Sequence, residues 1–413
     1  MNRKRTIVKR AGVVLFALFF IVGAWGMGHA EKTKVYLGHL VHITGPYGGT
    51  QVANNPGFLD GVELANQYMD LNGIEIVPVW KDGGSDPAKS MTAFKQMASG
   101  KEQIIAMVGQ STGVALALKT WNIKKEVVNV EGGSDDELTK LPSWTFSPTS
   151  PYVNELGVWV DYYLEHIWPK KGLNRKPRFA WLTWEVAYGR ASITPKTRAY
   201  IESKGVEIVG EEFIPYVPTD VSAQLLRLKE KGVDFTFGGM YQNAFAVVLK
   251  EMDKLGMIDQ IDVGLCYAIV PGVLLDMVGP LARNTYIVSN IWPVEEWAKR
   301  SPKVLEIFNK NGRSKMGFPP EGYAMTAGMA LIACEAIRIA SHTVGPDKID
   351  GKAVYEAMQK IKDYDMMGLR PPVTFTDKKR FGQDTAVLVR LNDNRQNVIG
   401  EFPCPDLTIY DWK

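Results

Sequence analysis

The chain has 413 residues, with 48 Lys+Arg against 45 Asp+Glu, and five of the basic residues lie within the first ten positions. Without those five the balance is 43 basic against 45 acidic, which gives no reason to expect nucleic acid or an anionic membrane surface as a partner. Three widely spaced cysteines, Cys266, Cys334 and Cys404, allow at most one disulfide and lack metal-ligand spacing, so they read as thiols and not as a scaffold or a zinc module.

The N-terminus has three parts. A basic stretch, "MNRKRTIVKR", precedes the apolar run "AGVVLFALFFIVGAWGM". Gly28 and Ala30 then take the small-residue positions of a cleavage site before Glu31. This layout predicts a secretory signal peptide over residues 1–30 and a periplasmic or otherwise extracytoplasmic protein. No later segment reads as a span of about 18–20 apolar residues. The roughly 380 residues that remain exceed the size at which one core divides, so two domains are expected.

Beyond the leader, strands alternate with helices. "KVYLGHLV" reads as a strand and runs into the loop "HITGPYGGTQVANN". Pro56 fits the first turn of a helix on which Phe58, Val62, Ala65 and Met69 share a face. "IEIVPVW" is a second strand, and Asp86 caps a helix that starts at Pro87. "IIAMV" leads through "GQSTG" into "VALALKTWN", and "EVVNV" ends in "EGGSDDEL". A second series follows "WTFSPTSP": the strand "RFAWLTW" with its loop "EVAYG", then "VEIVGEEFI", "VDFTFGG" leading to "MYQN", and "DVGLCYAI". The rhythm predicts an α/β chain with two doubly wound parallel-sheet units in series. The tail from 371 to 402 alternates between turn-rich gaps and reads as β-hairpin material.

In open parallel sheets ligands bind beyond the carboxyl ends of the strands. Three Gly-rich loops sit there in the first unit: "TGPYGG" with Tyr47, "GQSTG" with Ser111 and Thr112, and "EGGSDDEL" with Gly132 and Ser134. Their backbone N–H groups, near helix starts, and their hydroxyls suit a carboxylate or a carbonyl oxygen. Asp135, Asp136 and Glu137 read as a solvated acidic turn that favours the helix dipole, since adjacent carboxylates point apart and cannot share a metal. The second unit offers Trp184, Glu185, Tyr188, Met240, Tyr241, Cys266 and Tyr267 at its strand ends. Aromatic side chains there can cover an apolar ligand body while hydroxyls orient it.

"GQSTG" also has the G-x-S-x-G form of a hydrolase nucleophile elbow at Ser111. That chemistry needs a histidine placed after the serine. Only His166 and His342 follow it, each on a helix and not on a loop at the sheet rim, so passive binding is the stronger reading. No P-loop, dinucleotide fingerprint or HExxH is present, and no cofactor is expected.

Taken in order, "TGPYGG", "LNG", "DGGSDPAKS", "VGQSTGVALA", "VEGGSDDEL", "YG" and "GGMYQNA" resemble the branched-chain amino acid (leucine/isoleucine/valine) receptors of ABC importers, which have the type I periplasmic-binding-protein fold. The resemblance spans nearly the whole chain beyond the leader. It implies two α/β lobes joined by three crossovers, with lobe 1 at 33–150 plus 285–368 and lobe 2 at 151–284 plus 369–413. It implies a monomer that closes on a small molecule and is met by a membrane permease with cytoplasmic ATPases, or by a signalling receptor. Carried over by motif, Ser111 or Thr112 would meet a ligand carboxylate, Gly132 and Ser134 would offer a carbonyl and a hydroxyl, and Tyr188 with Met240 or Tyr241 would close from lobe 2. Such receptors place an acid near "GLCYAI", where Cys266 and Tyr267 stand here. Glu185 could supply it from a neighbouring loop, and amides, urea-like molecules and small carboxylates stay open beside amino acids.

Overall fold

The computed structural model describes residues 32–45, 48–316, 320–392 and 394–412; the expected leader lies outside them. The first sheet holds β1 (Thr33–Val41), β2 (Ile74–Asp82), β3 (Ile104–Gly109), β4 (Val128–Glu131) and β5 (Thr145–Phe146). Their spatial order is β2-β1-β3-β4-β5 and every neighbouring pair is parallel. The second sheet holds β6 (Arg178–Trp184), β7 (Glu207–Ile214), β8 (Phe235–Gly238), β9 (Asp262–Cys266), β10 (Thr285–Ser289), β11 (Thr385–Asn392) and β12 (Arg395–Pro403). Its order is β12-β11-β10-β9-β8-β6-β7. It is parallel from β7 to β10, and the C-terminal hairpin β11–β12 adds two antiparallel strands.

Each sheet carries its own core. Side chains alternate across the first sheet, so Val35 and Leu37 pack on one face with Phe58 and Ile337, and Leu40 and Met107 pack on the other with Phe94 and Leu118. The second core centres on Trp159, Trp181, Phe179 and Phe235. Helix starts follow the sequence signals where side chains can cap. Asp86 accepts the Lys89 N–H at 2.6 Å and Pro87 opens the helix Pro87–Met97.

The chain passes between the lobes three times, after β5, after β10 and before β11. These passes touch one another. Ser147 N–H donates to Arg380 O at 2.8 Å, Gly382 N–H donates to Ser147 O at 2.7 Å, and Ser150 N–H donates to Asn290 Oδ1 at 3.3 Å. Two expected boundaries shift. β10 lies in the second sheet, between β9 and β11, so the return to the first lobe comes after Ser289 and not at 285. Leu369, Val373 and Phe375 pack in the first core, beyond the expected limit at 368. The apolar "TYIVS" fits either sheet by composition; its ladder partners decide.

Among the described residues one helix, Glu321–Val344, is long and apolar enough to cross a membrane, although no segment after the leader was expected to be. It is a core helix here, with 78% of its most apolar window buried. It packs along the helix Asn54–Tyr68, and Gly57 and Gly61 let the two backbones meet. A Cβ at Gly57 would stand 2.3 Å from Tyr323 O, and one at Gly61 would stand 2.8 Å from Ala327 O. Gly57→Ala is therefore expected to destabilise by about 1–3 kcal/mol, because overpacking outweighs the roughly 1 kcal/mol gained in helix propensity. A lowered urea midpoint with an unchanged slope checks it. All three cysteines are free, with Cys266 and Cys334 buried.

Candidate functional site

A cleft of about 650 Å³, counted with its open mouth, lies between the lobes. Its walls come from the carboxyl ends of both sheets. Ser111 and Thr112 follow β3, Gly132 and Gly133 follow β4, Tyr241 follows β8, Tyr267 follows β9 and Ile291 follows β10, while Tyr188 stands on the short helix after β6. Tyr152, at the start of the helix that enters the second lobe, completes a wall of four tyrosines. Its hydroxyl reaches Thr112 Oγ1 at 3.5 Å, so the two walls meet there.

The first-lobe wall is built on a buried acid. Glu131, the last residue of β4, is 2% exposed. Its Oε1 accepts the N–H of Ser111 at 2.8 Å and of Gly133 at 3.0 Å, and its Oε2 accepts from Asn129 Nδ2 at 3.3 Å. Burial pushes its carboxyl up to about 7, against the pull of those three donors. This changes the expected chemistry of the loops. The N–H groups of Ser111 and Gly133 serve Glu131, and that of Gly132 donates to Gly109 O at 2.8 Å. What remains is the start of the helix Thr112–Lys125. Ser111 stands at its N-cap with extended φ −155° and ψ 108°, and its side chain does not cap. The first intrahelical bond there runs from Ala115 N–H to Ser111 O. The first-turn donors before it suit an acceptor in the cleft.

Amide side chains form part of the same wall, since Gln51, Asn54 and Gln110 also line the cleft. Gln51 Nε2 donates to Gln110 O at 2.9 Å, Asn54 Nδ2 donates to Gln110 Oε1, and Gln110 Nε2 donates to Thr326 Oγ1 at 2.6 Å. Across the cleft the tyrosines buttress one another. Tyr152 and Tyr188 lie edge to face at 5.2 Å, and Tyr152 stacks on Tyr267 at 5.9 Å. Burial raises the hydroxyls of Tyr152, Tyr188 and Tyr267 above the usual phenol range, so they stay protonated and can donate.

Of the residues singled out in the sequence, Ser111, Thr112, Gly132, Tyr188, Tyr241 and Tyr267 line the cleft. Tyr47 lies outside the described residues. Ser134 does not reach the cleft; its Oγ donates to Ser150 O at 2.7 Å and ties the loop to the first crossover. Trp184 points behind the wall, against Tyr216 at 4.8 Å and Tyr241 at 5.1 Å. Met240 is fully buried in the second core. Glu185 is exposed and paired with Arg190 at 3.0 Å. Instead, the acid in the cleft is Glu321, near the start of the helix Pro320–Val344. The acidic turn is solvated only in part: Glu137 is exposed and Asp135 caps by accepting its N–H at 2.8 Å, while Asp136 is buried and accepts Ile409 N–H at 3.0 Å. No described histidine lines the cleft, and His342 packs by Asp70, with Nε2 3.1 Å from its carbonyl oxygen. No described group of three or more His, Cys, Asp or Glu could hold a metal.

Two α/β lobes joined by three crossovers, with a cleft between their strand ends, define a ligand-capture protein. The periplasmic binding protein family model matches residues 34–396, and the chain belongs to that family. Family members bind ligands and are not enzymes, so Ser111 is no nucleophile. Leu/Ile/Val-binding protein homolog 1 of Brucella suis is 20% identical over 350 residues, 84% of this chain and 88% of that one. The fold is also that of a branched-chain amino acid ABC transporter protein from Thermus thermophilus with bound valine (TM-score 0.79, 20% identity, 92% of this chain and 98% of that one). It is shared too by a fatty acid ABC transporter substrate-binding protein from Thermomonospora curvata (TM-score 0.76, 17% identity, 93% and 96%).

Proposed function

We propose that the protein captures an amino acid or a related small carboxylate or amide outside the cytoplasm and delivers it to a membrane permease driven by cytoplasmic ATPases. The observation that carries the reading is the uncapped start of the helix Thr112–Lys125, with the Ser111 and Thr112 side chains, facing four tyrosines across one cleft. An acceptor group of the ligand sits at that helix start, where N–H donors and the dipole favour it. The second lobe then brings its tyrosines over the rest. Contacts made only when both walls meet shift the balance between open and closed forms. The leader over residues 1–30 directs export.

The test is a thermal-shift screen of amino acids, amides and small carboxylates. A ligand present at about 100 times its Kd adds about 2.7 kcal/mol to apparent stability. With a binder in hand, Ser111→Ala is expected to weaken affinity about fivefold, the worth of one neutral hydrogen bond. Ser134→Ala is expected to leave it nearly unchanged, because that hydroxyl serves the crossover. Equal losses from the two variants, read by calorimetry, would remove the assigned wall.

A further inference from the structure

The tail after β12, residues 404–412, joins neither sheet and forms no helix. It is nonetheless held along its length, by both lobes in turn. Cys404 N–H donates to Asp384 O at 2.8 Å. Pro405 and Leu407 then press on the helix Tyr152–Tyr162, where a Cβ at Gly157 would stand 3.0 Å from Leu407 Cδ1 and closer still to Pro405. Leu407 N–H donates to Asn154 Oδ1 at 2.7 Å. The peptide group joining Thr408 to Ile409 lies between the lobes. Its carbonyl, Thr408 O, accepts from Lys196 Nζ at 2.8 Å, and its N–H, on Ile409, donates to Asp136 Oδ2 at 3.0 Å. Lys196 stands in the first turn of the helix Pro195–Ser203, between β6 and β7 of the second sheet. Asp136 opens the short helix Asp136–Thr139, between β4 and β5 of the first. Tyr410 Oη donates to Thr139 Oγ1 of that short helix at 2.8 Å, and Trp412 packs edge-on against Phe381 of the third pass at 5.1 Å.

Resting on the capture reading above, in which the lobes open and close, we propose that this tail is a clasp. It is a fourth, non-covalent link that holds the lobes where the cleft walls meet and lets go of Asp136 and Thr139 when they part. A trans peptide points its C=O and N–H in opposite directions, so one rigid unit suits a partner on each side. It has no slack, and movement that separates Lys196 from Asp136 must break one of its two bonds. The tail stays with the second lobe, because the chain enters it from β12 and Asn154, Gly157 and Lys196 hold it there. The bonds that yield are therefore those to the first lobe. Both residues there are buried, Asp136 at 4% exposure and Thr139 at 1%. Parting strips a buried carboxyl and a buried hydroxyl of their partners, so the closed form gains by what those bonds are worth.

Small-angle X-ray scattering and hydrogen exchange test this on the protein with no ligand added. The wild type is expected to scatter as the compact arrangement described. Tyr410→Phe removes one first-lobe bond and should shift the balance towards the open form about fivefold; Tyr410→Phe with Asp136→Ala removes both and should shift it about twentyfold. The radius of gyration should rise in that order. Exchange should quicken by the same factors at 110–112 and 267–270, which line the cleft from opposite lobes. Asp136→Asn keeps an acceptor and should match the wild type. If the double variant fails to fold, Lys196→Met, at an exposed position on the other lobe, loosens the same peptide group and should open the protein about fivefold. A wild type that scatters as an open form overturns the clasp. So do variants that match the wild type in scattering and exchange, whatever their melting temperature, since the tail is then only a staple of the fold. Neither result touches the capture reading, which the thermal-shift screen decides on its own.

Discussion

Replacing Glu131 by alanine is expected to cost about 2–4 kcal/mol and to abolish ligand capture, while glutamine at the same position keeps both. The reason lies in what the carboxyl holds. One oxygen, Oε1, accepts two backbone N–H groups, Ser111 from the loop after β3 and Gly133 from the loop after β4. Alanine leaves both donors buried without a partner and frees the two loops from each other. Glutamine supplies the same acceptor. Its N–H₂ group finds Asn129 Oδ1, which has no hydrogen-bond partner as placed and lies on the amide that already faces Glu131. Chemical denaturation of the three proteins, followed by titration with whichever ligand the screen returns, checks both halves.

The same pair of proteins carries a pH prediction. Burial raises the Glu131 carboxyl from 4.5 to about 7. A group whose pKa is higher in the folded chain than in the unfolded one contributes stability that is whole below the unfolded value and fades as pH rises through the folded one. The wild type should therefore lose about 3 kcal/mol relative to Glu131→Gln between pH 4.5 and pH 7. His39 and His42 are pushed down, to about 3 and about 4, by burial, and their opposite slope is common to both proteins, so it cancels in the difference. A difference in unfolding free energy that stays flat across that window would mean that Glu131 is charged throughout.

How far the sequence could lead is clear from particular residues. Strand ends were legible because apolar runs stop at Gly-rich loops, and in a parallel sheet those loops share a rim. That logic reached Ser111, Thr112, Gly132, Tyr188, Tyr241 and Tyr267. It misplaced Trp184 and Ser134 for one physical reason: position on a rim does not set side-chain direction. Trp184 ends β6 facing the ring cluster behind the wall, and the Ser134 hydroxyl is satisfied by a carbonyl of the crossover. Gln110 lies within "GQSTG" and Gln51 and Asn54 within the loop after the first strand, but nothing local marked their side chains, or that of Glu321, as part of the site. Gln110 meets Thr326 and Glu321 meets Gln396 through contacts hundreds or tens of residues apart, which only the packed helix Pro320–Val344 creates. Glu131 stands where an apolar strand ends and "EGGSDDEL" begins, and its value as an acceptor depends on two loops folding over it.

That packed helix is also where the largest loss of stability is expected. Asp60 lies on the helix Asn54–Tyr68 and is 1% exposed. It accepts from Asn311 Nδ2 at 2.9 Å, from Arg313 Nε at 2.9 Å and Nη2, and from Tyr323 Oη at 3.0 Å. One carboxylate thus fastens the segment around 311–313 and the first turns of the helix Pro320–Val344 to the first lobe. Asp60→Ala strands a largely buried guanidinium and a buried phenol, and is expected to cost about 3–5 kcal/mol. The cost comes from the partners left behind, so removing both charges should hurt less: Asp60→Leu with Arg313→Met is expected to be more stable than Asp60→Ala, despite being the larger change. Glu321, Gly322 and Met325 line the cleft on the same stretch of helix, so Asp60→Ala should also weaken ligand binding. The apolar pair should restore stability before it restores affinity, because it rebuilds packing without the hydrogen bonds that set the position of Tyr323. Unfolding curves and calorimetric titrations of the two variants separate these outcomes. If the double replacement is as unstable as Asp60→Ala, the stranded-charge account of this hub is wrong and the pair contributes by attraction itself.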